Sequence, residues 1–352
     1  MSELNLELLK TLCETPGVPG HEDRVRALVR REVEGLFDAV EVDALGSLLC
    51  RRDARGEGGG GAERPTKVML LCHMDEIGFL VSHVSDKGFL YLQPVGGFDP
   101  RNLFSRRVLV CTAQGDLKAV MNPGGKPVHV ASPEDKKKVP EVTDFFVDTG
   151  LGERAKEIVK VGDMVVMDEP FVEIGEKLVS KALDNRIAVW LGIEAIRGLG
   201  DAAPGCEIHV AFTAQEEVGL RGARTAAFAV RPDIGLGIDT TLACDTPGVP
   251  EQDRTTVQGE GFGLHIRDSS FIADKALTAE IEALAQEKEI PFQRTMLKAG
   301  GQDGAAAQQA AAGARAVGIV VGTRYIHTVT EMVHKGDLAA ARDILTAYLA
   351  RA

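Results

Sequence analysis

Val68-Met69-Leu70-Leu71-Cys72-His73-Met74-Asp75 is an apolar run that ends on an imidazole and a carboxylate. A run without polar alternation predicts a strand covered on both faces, as in a mostly parallel sheet flanked by helices. Sheets of that kind carry their chemistry beyond the carboxyl ends of their strands, where His73 and Asp75 fall. The arrangement recurs downstream. His209-Val210-Ala211-Phe212-Thr213 leads to the adjacent pair Glu216 and Glu217, and Asp184, Asp239 and His327 also stand where hydrophobic runs end.

Two imidazoles and several carboxylates, with no thiolate among them, form a nitrogen and oxygen ligand set suited to zinc, cobalt or manganese. If neutral His73 and His327 each bind one divalent ion while Asp184, Glu217 and Asp239 supply carboxylates, three negative charges face four positive ones. A bridging hydroxide supplies the missing charge. A carboxylate between two ions binds both through its two oxygens and holds them roughly 3.5–4 Å apart, the spacing that activates water; Asp184 is the candidate bridge. Glu216, one residue from a ligand, stays uncoordinated as the expected general base. Asp75, two residues beyond His73 on an extended segment, shares its face and is expected to accept the proton on the other ring nitrogen of His73.

A lone HxD, a Glu pair or a strand-end Asp is more often structural than catalytic, so the combination in this order carries the reading. Of the other histidines, His209 is expected to pack within its strand, and His21, His83, His265 and His334 to lie in loops or at the surface. His129, in the turn-rich segment Gly125-Lys126-Pro127-Val128-His129, is placed to face a neighbouring subunit rather than to take part in catalysis.

The chain resembles the tetrahedral aminopeptidase family, dinuclear metallopeptidases that include glutamyl and deblocking aminopeptidases, some of which carry the name cellulase or endoglucanase. The resemblance rests on CHMDEIGFLV at 72–81, GEKLVSKALDNR ending at Arg186, TAQEEVGLRGA at 213–223, GIDTTLACDTPG at 237–248 and RYIHTVTEM at 324–332. It implies that His73, Asp184 and Asp239 hold one metal, that Asp184, Glu217 and His327 hold the other, and that Glu216 is the base. It also implies dimers that build a hollow twelve-subunit tetrahedron admitting short peptides. One departure lies in the substrate pocket: the family's Gly-Gly-Thr-Asp reads Gly300-Gly301-Gln302-Asp303 here. A second, the glycine-rich segment Gly56 to Gly61, lengthens the loop before the His73 strand.

With 352 residues the chain exceeds the size of a single growing core, so two domains are expected. Helical spacing marks 3–13 and 22–36, and strands follow near 38–43 and 47–52. From 75 to 172 short β-prone stretches alternate with Gly and Pro turns, among them Gly78–Val84, Phe89–Gln93, Arg107–Thr112 and Asp163–Met167. After Gly175 strands and helices alternate: helix 185–198, strand 207–213, helix 222–229, strand 233–238, helix 273–288, strand 291–298, helix 303–313, strand 315–321 and helix 337–350. The expected fold is a mixed-sheet α/β/α metallopeptidase domain, 1–74 with 173–352, carrying an inserted β-rich domain at 75–172. Within that insert, Leu90-Tyr91-Leu92 and Phe145-Phe146-Val147 suggest apolar surface left for subunit contacts.

The net charge of −12 argues against nucleic acid or an anionic membrane as partner. No signal peptide or membrane span is evident, and the six cysteines lack CxxC pairing, which points to a cytoplasmic protein with reduced thiols. The expectation is a metallo-aminopeptidase, with two divalent ions, zinc or cobalt, removing N-terminal residues from short peptides. Two alternatives remain open, a two-metal deacetylase or amidase acting on a small N-acyl metabolite, and a glycan hydrolase. The pocket that selects the side chain is expected from loops near Arg254, Phe262–Arg267 and Gly300–Asp303.

Overall fold

The computed structural model describes residues 3–56 and 64–352; of the glycine-rich segment, all but Gly56 lies outside them. Helix α1 (Leu6–Glu14) starts where the Asn5 side chain accepts the N–H of Leu8, and it buries Leu8, Leu9 and Leu12. Helix α2 (Asp23–Glu32) stops four residues short of the sequence expectation, because the chain turns at Gly35 with φ +79°. Strands β1 (Ala39–Val42), β2 (Leu48–Arg52) and β3 (Lys67–His73) follow.

Six strands come next: β4 (Gly78–Val84), β5 (Leu90–Val95), β6 (Arg106–Thr112), β7 (Gly115–Pro123), β8 (Phe145–Asp148) and β9 (Met164–Met167). They close into an antiparallel barrel in the order β4-β5-β8-β7-β6-β9, with the short helix α3 (Ala155–Ile158) between β8 and β9. Closure changes one expectation. Leu90 pairs across from Val147, and Leu90, Leu92, Phe145 and Val147 all turn into the barrel core with Phe79 and Val110. The period-2 alternation of a strand leaves only Tyr91 of that stretch substantially exposed, at 47%. These residues therefore fill the barrel rather than supply surface for subunit contacts.

The remainder runs β10 (Val172–Ile174), β11 (Lys177–Ser180), α4 (Leu183–Gly198), β12 (Glu207–Thr213), α5 (Arg221–Val230) and β13 (Ile234–Leu242). It continues with β14 (Phe262–Arg267), α6 (Lys275–Glu287), β15 (Phe292–Met296), α7 (Gly304–Gln308), β16 (Arg315–Thr323), β17 (Glu331–His334) and α8 (Lys335–Arg351). Eight strands form one mixed sheet in the order β1-β2-β12-β3-β13-β16-β14-β15, parallel at its centre from β12 to β16. Both faces are covered, as the apolar run predicts. Along β3 the residues alternate, Val68, Leu70 and Cys72 packing with α1, α4 and α8, while Met69 and Leu71 pack with the alanines of α5 and α7. The fold is a mixed α/β sheet layered by helices, with a small β-barrel beside it.

Two local expectations need correction. Helix 303–313 is only Gly304–Gln308, because Ala311 and Gly313 take positive φ and break it. His265 is buried in β14, where its ring meets Thr295 Oγ1 at 2.9 Å and Asp268 Oδ2 at 3.3 Å, so it belongs to the packed interior. His129, by contrast, is exposed.

Candidate metal centre

β3 occupies the middle of the sheet, with β12 on one side and β13 on the other, and the chain leaves it for the barrel. This change of direction opens a crevice at the strands' carboxyl ends. His73 closes β3 in register with Thr213 at the end of β12, and Asp239 lies farther along β13. Asp184 sits in the first turn of α4, and His327 in the connection from β16 to β17. Glu216 and Glu217 stand in the turn after β12.

Asp184 lies between the two imidazoles. Its Oδ1 is 3.5 Å from His73 Nε2, and its Oδ2 is 3.5 Å from His327 Nε2. Glu217 Oε2 is 3.5 Å from the same His327 nitrogen. Asp239 Oδ1 and Glu216 Oε2 approach His73 Nε2 at 4.0 and 3.8 Å. Two trios of ligand atoms, His73 with Asp184 and Glu217 and His73 with Glu216 and Asp239, each lie within 4.8 Å of one another. Glu216, expected to stay uncoordinated, is thus as near to His73 as Asp239 is.

These groups fit divalent cations. Four carboxylates converge in a largely buried site, and Glu217 Oε1 is buried without a hydrogen-bond partner. Burial pushes Glu216 and Asp239 well above the usual carboxylate range, and neighbouring carboxylates add to it. Burial also works against the charged imidazoles, yet Asp184 and Glu217 overcome it and push His327 up to about 11. For His73 the same burial is outweighed by Glu216, Asp184 and Asp75. The constellation demands positive charge, which divalent ions bound by nitrogen and oxygen donors satisfy.

Two buried carboxylates, Asp75 and Glu331, fix the ligand loops. Asp75 Oδ1 accepts the N–H of Glu216 and its Oδ2 the N–H of Glu217, both at 3.0 Å. Its contact with His73 Nδ1 is made by its backbone carbonyl at 3.1 Å, with Oδ1 farther off at 3.4 Å. Glu22 extends the cradle, accepting the N–H of Gln215 at 2.9 Å. Glu331 does for the other side what Asp75 does here, its two oxygens accepting the N–H of Asp184 at 2.9 Å and of His327 at 2.8 Å. Glu331 was missed in the sequence, although it lies within RYIHTVTEM. So was fully buried Arg186, the end of the ALDNR stretch, which donates to the carbonyls of Met74, Leu12, Thr15 and Gly17 and so ties α1 to the segment after His73.

The six charged groups form the floor of a cleft of about 670 Å³. Gly300 and Gly301 reach its wall, but Arg254 and Phe262–Arg267 do not, since β14 packs into the sheet. Gln302, the departure from the family's threonine, is buried against Gly237 and Gly318, where any Cβ would collide with its amide. That substitution fills the interior and does not face the cleft.

The comparisons agree with this geometry. The lysyl aminopeptidase of Pyrococcus furiosus is 31% identical, over 96% of this chain and 93% of its own length. The crystal structure of a TET aminopeptidase from a marine-sediment Thaumarchaeota archaeon superposes with a TM-score of 0.92 at 34% identity, covering 98% of this chain and 96% of that one. The Pyrococcus horikoshii TET1 peptidase, which can assemble into a tetrahedron or a large octahedral shell, gives 0.85 at 30% identity over 98% of each chain. With residues 56–344 matching the family described as M42 glutamyl aminopeptidase, the chain belongs to that family.

Proposed function

We propose that the protein is a dinuclear metallo-aminopeptidase that removes N-terminal residues from short peptides. The observation that carries this reading is Asp184, whose two oxygens face two different histidines at 3.5 Å each. His73, Asp184 and Asp239 would hold one ion, and Asp184, Glu217 and His327 the other, with zinc or cobalt suited to the donors. The ions would polarise the scissile carbonyl, lower the pKa of the attacking water and receive the free amine of the substrate.

The chain's own groups do the rest. Glu216 takes the proton of the attacking water and returns it to the leaving amine, a role its place fits, with Oε2 3.8 Å from His73 Nε2 at the floor of the cleft. Asp75 and Glu331 keep the loops in position through backbone hydrogen bonds, so ligand geometry is set before substrate arrives. Membership of a family with tetrahedral members supports an oligomer, from dimer to dodecamer. No helix among the described residues is long and apolar enough to cross a membrane, and all six cysteines are free, in keeping with a cytoplasmic enzyme.

The test is a set of aminoacyl amides and their N-acetylated counterparts, assayed after chelation and after return of each metal. Cleavage of the free-amine substrates alone, lost in chelator and restored by metal, is expected. Turnover of the N-acylated set alone would favour a deacetylase, and polysaccharide cleavage unaffected by chelator would favour a glycan hydrolase.

A further inference from the structure

Among the described residues, every one that lines the cleft outside the six charged groups is uncharged. Leu220 follows the Glu216–Glu217 turn, Leu242 ends β13, Leu297 follows β15 and Ile326 precedes His327, so four apolar side chains from four separate segments border the opening. None is fully buried, and Leu242 is 42% exposed. Lys298, flanked by the lining residues Leu297 and Ala299, is 92% exposed and turned onto Asp253 at 3.1 Å, which leaves it out of the cleft.

We infer that the enzyme selects peptides whose N-terminal side chain is neutral and apolar, of the size of leucine or methionine. This rests on the aminopeptidase reading above and names its substrate class. An aliphatic side chain covers leucine and isoleucine surface that otherwise faces water, which favours its transition state over that of a smaller residue. A glutamate side chain meets no cation on these walls, because the cleft's titratable groups all lie in the floor, where they face one another. A lysine side chain finds no carboxylate outside that floor. Charged residues would lose hydration with no partner in return, so the walls discriminate against both signs.

The experiment uses the full-length, metal-saturated protein in its native assembly, with Leu-, Met-, Glu- and Lys-p-nitroanilides. We expect kcat/KM for Leu and Met to exceed that for Glu and Lys by roughly 10- to 200-fold, the range that hydrophobic pockets achieve. A Glu or Lys substrate ranking first, with the others cleaved more slowly, would overturn the inference and leave the aminopeptidase reading standing. No cleavage of any of the four would sink that reading and this inference with it. A second arm uses Leu297→Arg, a partly exposed position whose replacement leaves the metal groups untouched. The Glu-to-Leu ratio should rise about tenfold or more with unchanged metal content; an unaltered ratio would remove Leu297 from the selecting wall and contradict the assignment.

Discussion

The carboxylate of Asp75 accepts the backbone N–H of Glu216 at 3.0 Å and, through its other oxygen, holds the next residue in the same way. A single fully buried side chain thus fixes the adjacent glutamates from beneath, leaving their own carboxylates free to face the cleft. Replacing Asp75 with Asn puts a donor where one of two acceptors stood. That leaves one N–H facing another donor, and the turn shifts. Asp75→Asn should keep its fold by circular dichroism while metal affinity or turnover falls roughly 10- to 100-fold, the usual cost of losing a group behind the ligands. Unchanged metal affinity and turnover would show the turn to be held by other means.

Glu331→Gln should act more broadly. Glu331 steadies both Asp184 and His327, and Asp184 faces both imidazoles, so both ions should bind more weakly in the variant. Calorimetric titration with zinc would show two weakened sites; weakening of one alone would contradict a shared Asp184.

His327→Ala, in contrast, should lose one ion preferentially. Its ring faces Asp184 and Glu217 at 3.5 Å but none of the other metal-site carboxylates within ion-pair range. Elemental analysis of the saturated variant should give about one ion per chain where the unaltered protein gives two, as expected for a two-metal site. A unaltered protein that saturates at one ion would remove the dinuclear assignment.

Glu22 offers a pH test away from the ligands themselves. Burial, reinforced by the charge of Asp75, raises its carboxyl from 4.5 to about 7. Between those values the folded chain keeps a proton that the unfolded chain has released, so this group's contribution to stability falls as pH rises through the window. Above pH 7 the ionised group costs up to about 3 kcal/mol at 1.36 kcal/mol per unit. Glu22→Gln retains an oxygen for the N–H groups of Gly20 and Gln215 and removes the titration. Its urea-unfolding advantage over the unaltered protein should therefore grow from pH 5 to pH 8. A constant difference would mean that Glu22 does not titrate in that range.

The covered strands were legible because nothing but two-sided burial explains five consecutive apolar residues in β3. Strand β13 was read too short, to residue 238, since Asp239, Thr240 and Thr241 interrupt the apolar signal, whereas the backbone pairs with β16 through Leu242. The short α7 shows the reverse error: alanine favours helix wherever it stands, but the chain after Gln308 must turn into β16. Ligand candidates could be read because their residue types are rare at strand ends. Asp75 acts on main-chain groups 141 and 142 residues away, and Glu331 on His327 four residues away and on Asp184 147 residues away; no local pattern records the distant pairings. The barrel was legible as texture, while its closure, which buries Phe145 and Leu92, depends on pairings between distant strands.

Glu216 and Glu217 put the central claim to its most direct test. They are neighbours held by one aspartate, yet Glu217 Oε2 faces His327 at 3.5 Å while Glu216 Oε2 faces His73 at 3.8 Å. The measurement is metal stoichiometry paired with turnover for Glu216→Gln and Glu217→Gln. Glu216→Gln should keep both ions and lose roughly 10²- to 10⁴-fold in kcat, the range for removing general acid–base help. Glu217→Gln should bind one ion more weakly and regain part of its activity when metal is added. Loss of metal in Glu216→Gln with full retention in Glu217→Gln would reverse the two roles and contradict the account.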